Sequence, residues 1–147
     1  MDRGLAVVLT ACVGGLIALQ APINSVLGKA VGTWQGALVS FVIGTLLLAG
    51  IVGFAAGGFG DIGEVRHVSW YYLTGGVLGA AYVTTVLVTV RSLGAGGVTA
   101  ATIAGQLTMA AVVDQLGLLG VAKHPITAVR IVGITLLAAG TYLIVRD

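Results

Sequence analysis

The chain has 147 residues, of which 58% are hydrophobic and 8% charged, and its mean hydropathy of +1.10 excludes an ordinary soluble domain of this size. Its net charge of +2 comes from seven Lys and Arg residues at the ends of apolar runs, which suits lipid headgroups better than nucleic acid. A single cysteine, Cys12, supplies no metal-ligand set, and no connection is long enough for a soluble enzyme, so we expect no cofactor and no enzymatic activity.

Five apolar runs follow one another along the chain. About twenty helical residues, rising 1.5 Å each, cross the roughly 30 Å hydrocarbon core of a bilayer. We therefore predict an all-α integral membrane protein with one membrane domain over residues 1–147 and five spans, at about residues 4–28, 34–55, 69–91, 97–117 and 126–146.

The first span carries polar residues and a proline in its second half. Gln20 and Asn24 are four residues apart and share a helix face, and Pro22 lies between them. A cleaved signal peptide is the alternative reading, but Pro22 follows the only plausible cleavage region and more spans come after it. We predict a retained helix that is kinked or broken near Pro22, where freed carbonyls could serve a substrate or a cation.

Two aromatic positions mark where the second and third spans meet the headgroups. Trp34 opens the second span, and Trp70 opens the third after a glycine-rich connection that we expect to be a flexible loop or short turn. Gly75 and Gly79 form a small-residue pair that either allows close helix packing or only reflects the glycine-rich composition. A second short linker, residues 94–97, leads into the fourth span.

Polar side chains on the fourth span mark the candidate site. At about 100° per residue, Thr99, Thr102 and Gln106 share one side of the helix, with Gln106 near mid-depth. Hydrocarbon satisfies no group of a primary amide, so this stripe should face a water-filled cavity or, alternatively, make interhelical hydrogen bonds. The candidate substrate-binding residues are Gln106, Gln20, Asn24, Thr102 and the mid-span Tyr82.

Asp114 lies within a turn of Gly117, a natural helix C-cap. A carboxylate near a helix C-terminus is disfavoured by the helix dipole, so Asp114 needs a cationic partner: Lys123, Arg130 or a residue of an opposing subunit. A structural ion pair and a role in proton or cation coupling both remain open. The fifth span is expected to begin just after Pro125.

Charge is nearly balanced between the two sides that five spans would create. One side has four Lys and Arg residues and the other three, namely Arg3, Arg66, Lys123 and Arg130 against Lys29, Arg91 and Arg146. Orientation normally follows an excess of such residues in cytoplasmic loops. Insertion in both orientations, followed by pairing with an inverted copy, is therefore one reading, and a single orientation is the other.

Four motifs resemble the YdcZ-like family of small bacterial inner-membrane proteins, within the drug/metabolite transporter superfamily. They are LQAPIN at 19–24, ALVSFVIGT at 37–45, AGQL at 104–107 and DQLGLLG at 114–120. The resemblance implies five helices per chain, and an antiparallel dimer with itself or with a related chain, because larger superfamily members look like two inverted five-helix halves. The small multidrug members use a glutamate deep in their first helix, which this chain lacks.

These features favour a secondary transporter that exports a small metabolite or amphipathic compound by alternating access in a dimer. No nucleotide-binding loop is present, so an ion gradient or the substrate's own gradient must supply the energy. Two alternatives come from other classes. One is a passive channel built from inverted subunits, and the other is a non-transporting partner subunit of a heterodimer.

Overall fold

In the computed structural model, which describes residues 2–146, all regular secondary structure is helical. No strand occurs in that range, as expected where backbone groups must be satisfied without water. The α-helices are α1 (Arg3–Val31), α2 (Thr33–Phe54), α3 (Gly75–Leu116) and α4 (Ala128–Arg146). Three 3-10 helices occupy the connections, at Gly60–His67, Trp70–Thr74 and Leu118–Gly120.

All four α-helices are long and apolar enough to cross a membrane. The third has 42 residues and would measure about 63 Å if straight, twice the hydrocarbon core. Gly94 interrupts it with non-helical angles, φ 68° and ψ 171°, a conformation that only glycine adopts without strain. Residues 2–146 therefore contain four helices suited to crossing a membrane, or five when the segments 75–93 and 95–116 of α3 are counted separately.

The chain forms two compact units, one ending at Arg91 and the other beginning at Ser92. In the first, α1 and α2 form a hairpin around Gly32, whose φ is 101°. The helices nearly touch at Gly28 and Gly36, because a Cβ added to Gly36 would lie 2.8 Å from the Gly28 Cα. Leu87 of α3 is fully buried against Ala37 and Val83. Glycine at the crossing thus lets backbones approach where lipid offers no hydrophobic drive.

In the second unit, the segment 95–116 packs with α4. Thr141 of α4 donates a hydrogen bond from its Oγ1 to the Ala100 carbonyl, at 3.1 Å. The first segment ends at Leu116, and Gly117 adopts the left-handed conformation, φ 64° and ψ 39°. Gly117 is thus the helix C-cap that the sequence predicted.

Several local predictions differ from the structure. The break predicted as one alternative near Pro22 is wrong, since α1 is continuous from Arg3 to Val31 with Pro22 inside it, and the other alternative, a kink, stays a prediction. The linker predicted at 94–97 narrows to Gly94, with residues 95–97 helical.

Pro125 lies before α4 rather than in its first turn. Thr127 caps that helix, because its Oγ1 accepts from the Arg130 N–H at 3.3 Å. The connection after α2 contains the 3-10 helix Gly60–His67.

Candidate functional site

Three of the predicted substrate-binding residues meet in the first unit. Gln20 and Asn24, one turn apart on α1, and Tyr82 of α3 line the same cavity. Gln20 is exposed, Tyr82 is half-buried and Asn24 is only 6% exposed. The cavity measures about 10 Å³, which is the space of one water molecule. The amide pair and the phenol therefore come together, around a space smaller than a metabolite.

A larger groove in the same unit was not predicted from the sequence. It lies between α2 and the 75–93 segment of α3 and measures about 640 Å³, within the usual range of about 300–1,000 Å³ for ligand pockets. Its walls are apolar, from Trp34 and Phe41 on one side to Ala81 on the other, and Thr84 and Thr85 supply its polar groups. The signal in the sequence is a pair of alanines, Ala80 and Ala81, one turn before the two threonines. Their small side chains leave space beside the threonine hydroxyls.

The remaining two candidates, Thr102 and Gln106, lie on the 95–116 segment of the second unit. Thr102 is half-buried and Gln106 is exposed. Within residues 2–146 the Gln106 side chain makes no hydrogen bond, while Thr141 of α4 makes one to the Ala100 carbonyl of this segment. The mid-depth amide is therefore left free to meet water, a ligand or another chain.

Asp114 forms an ion pair with Arg130. The Arg130 Nη1 and Asp114 Oδ2 atoms are 3.0 Å apart, and the side chains are 44% and 24% exposed, respectively. Among the partners considered from the sequence, the structure thus selects Arg130 of α4. The pair joins the end of α3 to the start of α4, and so closes the second unit at one end.

The connection between α3 and α4 folds back on the same helix end. The His124 N–H donates to the Asp114 carbonyl at 2.8 Å, and the Ile126 N–H donates to the Gln115 Oε1 at 2.6 Å. Lys123 lies against Gly117, where an added Cβ would be 3.4 Å from the Lys123 Cβ. Gln115 was missed by the sequence analysis, because a polar residue beside a helix end usually signals no more than solvation. Here it satisfies a backbone donor eleven residues away.

Comparison with known families gives the context for this arrangement. A family model described as “Putative inner membrane exporter, YdcZ” matches residues 5–143. The chain belongs to the YdcZ family. The match covers all four membrane-crossing helices and both groups of polar residues described above. No curated protein and no solved structure matches the chain.

Membership of the YdcZ family settles the general class of activity. The family description is that of a membrane exporter, so the chain is a membrane transporter and not an enzyme. Its place is the inner membrane, which agrees with helices long and apolar enough to cross a bilayer. These findings confirm the family, the class and the location predicted from the sequence.

Proposed function

We propose that this YdcZ protein is one half of a secondary transporter that exports a small metabolite or amphipathic compound by alternating access. An antiparallel second copy, or a related chain, completes it. The observation that carries the proposal is the exposure of Gln20 and Gln106 in the middle of apolar helices. Hydrocarbon leaves such amides unsatisfied, at a cost of about 4 to 8 kcal/mol each when they are fully transferred. A second chain enclosing a water-filled cavity removes that cost.

In this proposal Gln20, Asn24 and Tyr82 of the first unit contribute to substrate recognition, and so, separately, do Thr102 and Gln106 of the second. Amides and hydroxyls both donate and accept hydrogen bonds, so the set suits a polar but uncharged part of a substrate. The cavity of about 10 Å³ beside Asn24 is then the part that one chain contributes, and closure around a substrate requires the partner. Proteins of this kind place substrate near the bilayer midplane, at the interface between inverted halves.

The test is the chemical accessibility of these positions. Cys12, which is exposed on α1, is first replaced by serine, and single cysteines are placed at Gln20, Asn24 and Gln106. We expect all three to react with a small water-soluble thiol reagent, and a transported substrate to slow the reaction. Cysteines at Leu46 and Leu136, each 67% exposed on the apolar surface, serve as lipid-facing controls. A cysteine at position 106 as inert as these controls, in an active protein, would contradict the proposal.

Flux through reconstituted vesicles separates a transporter from a channel. An alternating-access cycle takes microseconds to milliseconds, so its flux saturates with substrate. A passive channel conducts far faster and does not saturate. Saturable substrate flux by the purified protein is the expected result. Flux that appears only after a related chain is added would instead identify the chain as a partner subunit of a heterodimer.

A further inference from the structure

A cleft in the second unit is lined by other residues than the stripe of Thr99, Thr102 and Gln106, and it differs from that stripe in chemistry. It lies between the end of α3 and the start of α4 and measures about 270 Å³. Its walls are apolar, with Leu107 and Ala111 on one side and Val129 and Ile134 on the other, and Gly133 leaves room between them. One end is closed by the ion pair of Asp114 and Arg130. The cleft therefore combines an apolar body with a charged end.

The charges around this end do not cancel. One contact between Arg130 and Asp114 uses one of the five donors of the guanidinium, and Arg130 is still 44% exposed. The hydrogen bond from the His124 N–H to the Asp114 carbonyl brings the neighbouring Lys123 to the same helix end. Counted with Lys123, which lies at this helix end but outside the cleft lining, the local formal charge is +1. The positive end of the α4 dipole adds positive potential.

We propose that this cleft binds an amphipathic anion. Its carboxylate, sulfate or phosphate group lies on the exposed donors of Arg130, and its apolar part lies between Leu107 and Ile134. The inference rests on the proposed function where the anion is the exported compound. The same chemistry also describes the headgroup and chain of an anionic lipid, and the experiment distinguishes these two sources.

A cationic ligand fits the cleft less well. Asp114 is the one carboxylate among the described residues that line the cleft, and its contact with Arg130 at 3.0 Å holds the guanidinium charge beside any cation that approaches it. An anion keeps the existing ion pair and adds a second partner to the guanidinium, whose planar fork suits oxyanions. Charge complementarity therefore selects an anion.

The test uses 2-naphthyl phosphate, a fluorescent amphipathic anion, with the whole protein in nanodiscs of phosphatidylcholine. Binding is followed by fluorescence anisotropy, and 2-naphthylmethylammonium is the matched cation of the same body. We expect saturable binding of the phosphate and binding of the ammonium that is weaker by about tenfold or more.

Variants separate the charged end from the apolar body. The double variant Asp114→Asn with Arg130→Gln leaves no stranded charge, so it should fold, and we expect its affinity for the phosphate to fall by about tenfold or more. Gly133→Leu fills the cleft and keeps the ion pair, and we expect the same loss. Gly140→Leu, on the same helix but outside the cleft, is the control that should bind normally. A Cβ at either glycine meets nothing within 4 Å, so the backbone at both positions has room for a side chain.

The source of the anion is decided by repeating the titration in nanodiscs that contain phosphatidylglycerol. If the occupant is a lipid, phosphatidylglycerol displaces the probe and co-purifies with the wild-type protein but not with the double variant. If the occupant is a soluble compound, probe binding is unchanged. Equal affinity of the wild type, the double variant and Gly133→Leu, or tighter binding of the ammonium, would overturn the proposal. The titration measures binding and not flux. A negative result would therefore rule out the anion site, while the export assay still tests the proposed function independently.

Discussion

Asp114 and Arg130 each occupy the helix end that the backbone dipole disfavours. Asp114 lies near the negative C-terminus of α3, and Arg130 lies in the positive first turn of α4. Their contact at 3.0 Å compensates both unfavourable charges. It also gives Arg130, near the start of a 19-residue helix, a partner within the protein, so its side chain need not extend to the headgroups. Each charge at this end thus depends on the other, which makes the pair sensitive to the loss of one partner.

Replacing one member of this pair should cost more than replacing both. In Asp114→Asn the guanidinium keeps its charge and loses its partner, and because both side chains are partly exposed we expect a loss of only about 1 to 2 kcal/mol. Asp114→Asn with Arg130→Gln should recover most of it. Unfolding in detergent, followed by circular dichroism, measures both. A single variant as stable as the wild type would show that the pair contributes nothing to folding.

The same variants address coupling, which stays a prediction. If Asp114 couples transport to protons, Asp114→Asn should bind substrate but lose uptake driven by a pH gradient, because the amide has no proton to exchange. The double variant should lose it as well, although it regains stability. Gradient-driven uptake at the wild-type rate in the stable double variant would restrict Asp114 to a structural role.

Gly36 faces the backbone of α1 across the hairpin, where an added side chain has no room. Gly36→Ala places a Cβ 2.8 Å from the Gly28 Cα, a backbone atom that can move only if α1 and α2 separate. We expect a loss of about 1 to 3 kcal/mol, as in overpacked interiors. Gly44→Ala on the same helix meets nothing within 4 Å and should be neutral or slightly stabilising. Thermal unfolding of the two variants gives the comparison, and equal stability would argue against the close crossing.

At the scale of elements, α3 is the helix that determines how many times the chain crosses the membrane. Its length alone fits no single crossing, and the interruption at Gly94 converts it into two segments of crossing length. The angles at Gly94 belong to a region essentially reserved for glycine. Gly94 alone therefore divides the helix, where the sequence predicted a linker of four residues, 94–97.

Gly94→Ala should strain the backbone at the interruption of α3. The alanine either adopts unfavourable angles, at a cost of about 1 to 3 kcal/mol, or forces the helix to continue. We expect lower thermal stability and reduced transport, measured in the same preparation. Gly96→Ala is the matched control, since it lies in the helical part of α3 with nothing within 4 Å of an added Cβ, and it should retain both. Normal stability of Gly94→Ala would mean that the interruption needs no glycine.

At the scale of the whole molecule, we expect the near balance of charge to govern orientation. Lys29 lies in the last turn of α1, which is on the side with three basic residues if the chain crosses five times, and the adjacent Ala30 and Val31 are exposed. With five crossings, Ala30→Lys with Val31→Lys changes the balance from 4 against 3 to 4 against 5. Lysines at a helix C-terminus also suit the dipole, so the fold should tolerate them.

We expect the wild-type chain to insert in both orientations and this variant to insert mainly with Lys29 on the cytoplasmic side. Ile62→Lys with Val65→Lys, in the exposed 3-10 helix after α2, should bias insertion the opposite way. C-terminal reporters that are active on only one side of the membrane measure the distribution. A wild-type chain with one fixed orientation, unchanged in both variants, would rule out the antiparallel homodimer and leave a heterodimer or a parallel pair.

Sequence alone determined the class of protein, the apolar runs and the chemical nature of the candidate site. These are local or summed properties: hydropathy adds along a helix, and the spacing of Gln20 and Asn24 fixes a shared face whatever else the chain does. The left-handed cap at Gly117 followed from the same local rules.

Only the tertiary structure decided which residues meet. It chose Arg130 over Lys123 as the partner of Asp114, placed Tyr82 beside Gln20 and Asn24, and put the close helix crossing at Gly28 and Gly36. Gly75 and Gly79 make no such crossing within the chain, because Gly79 faces the Phe41 ring instead of a backbone and Gly75 has nothing within 4 Å. Such contacts depend on how each helix is rotated and crossed against its neighbours, and that is set by packing between residues far apart in the sequence.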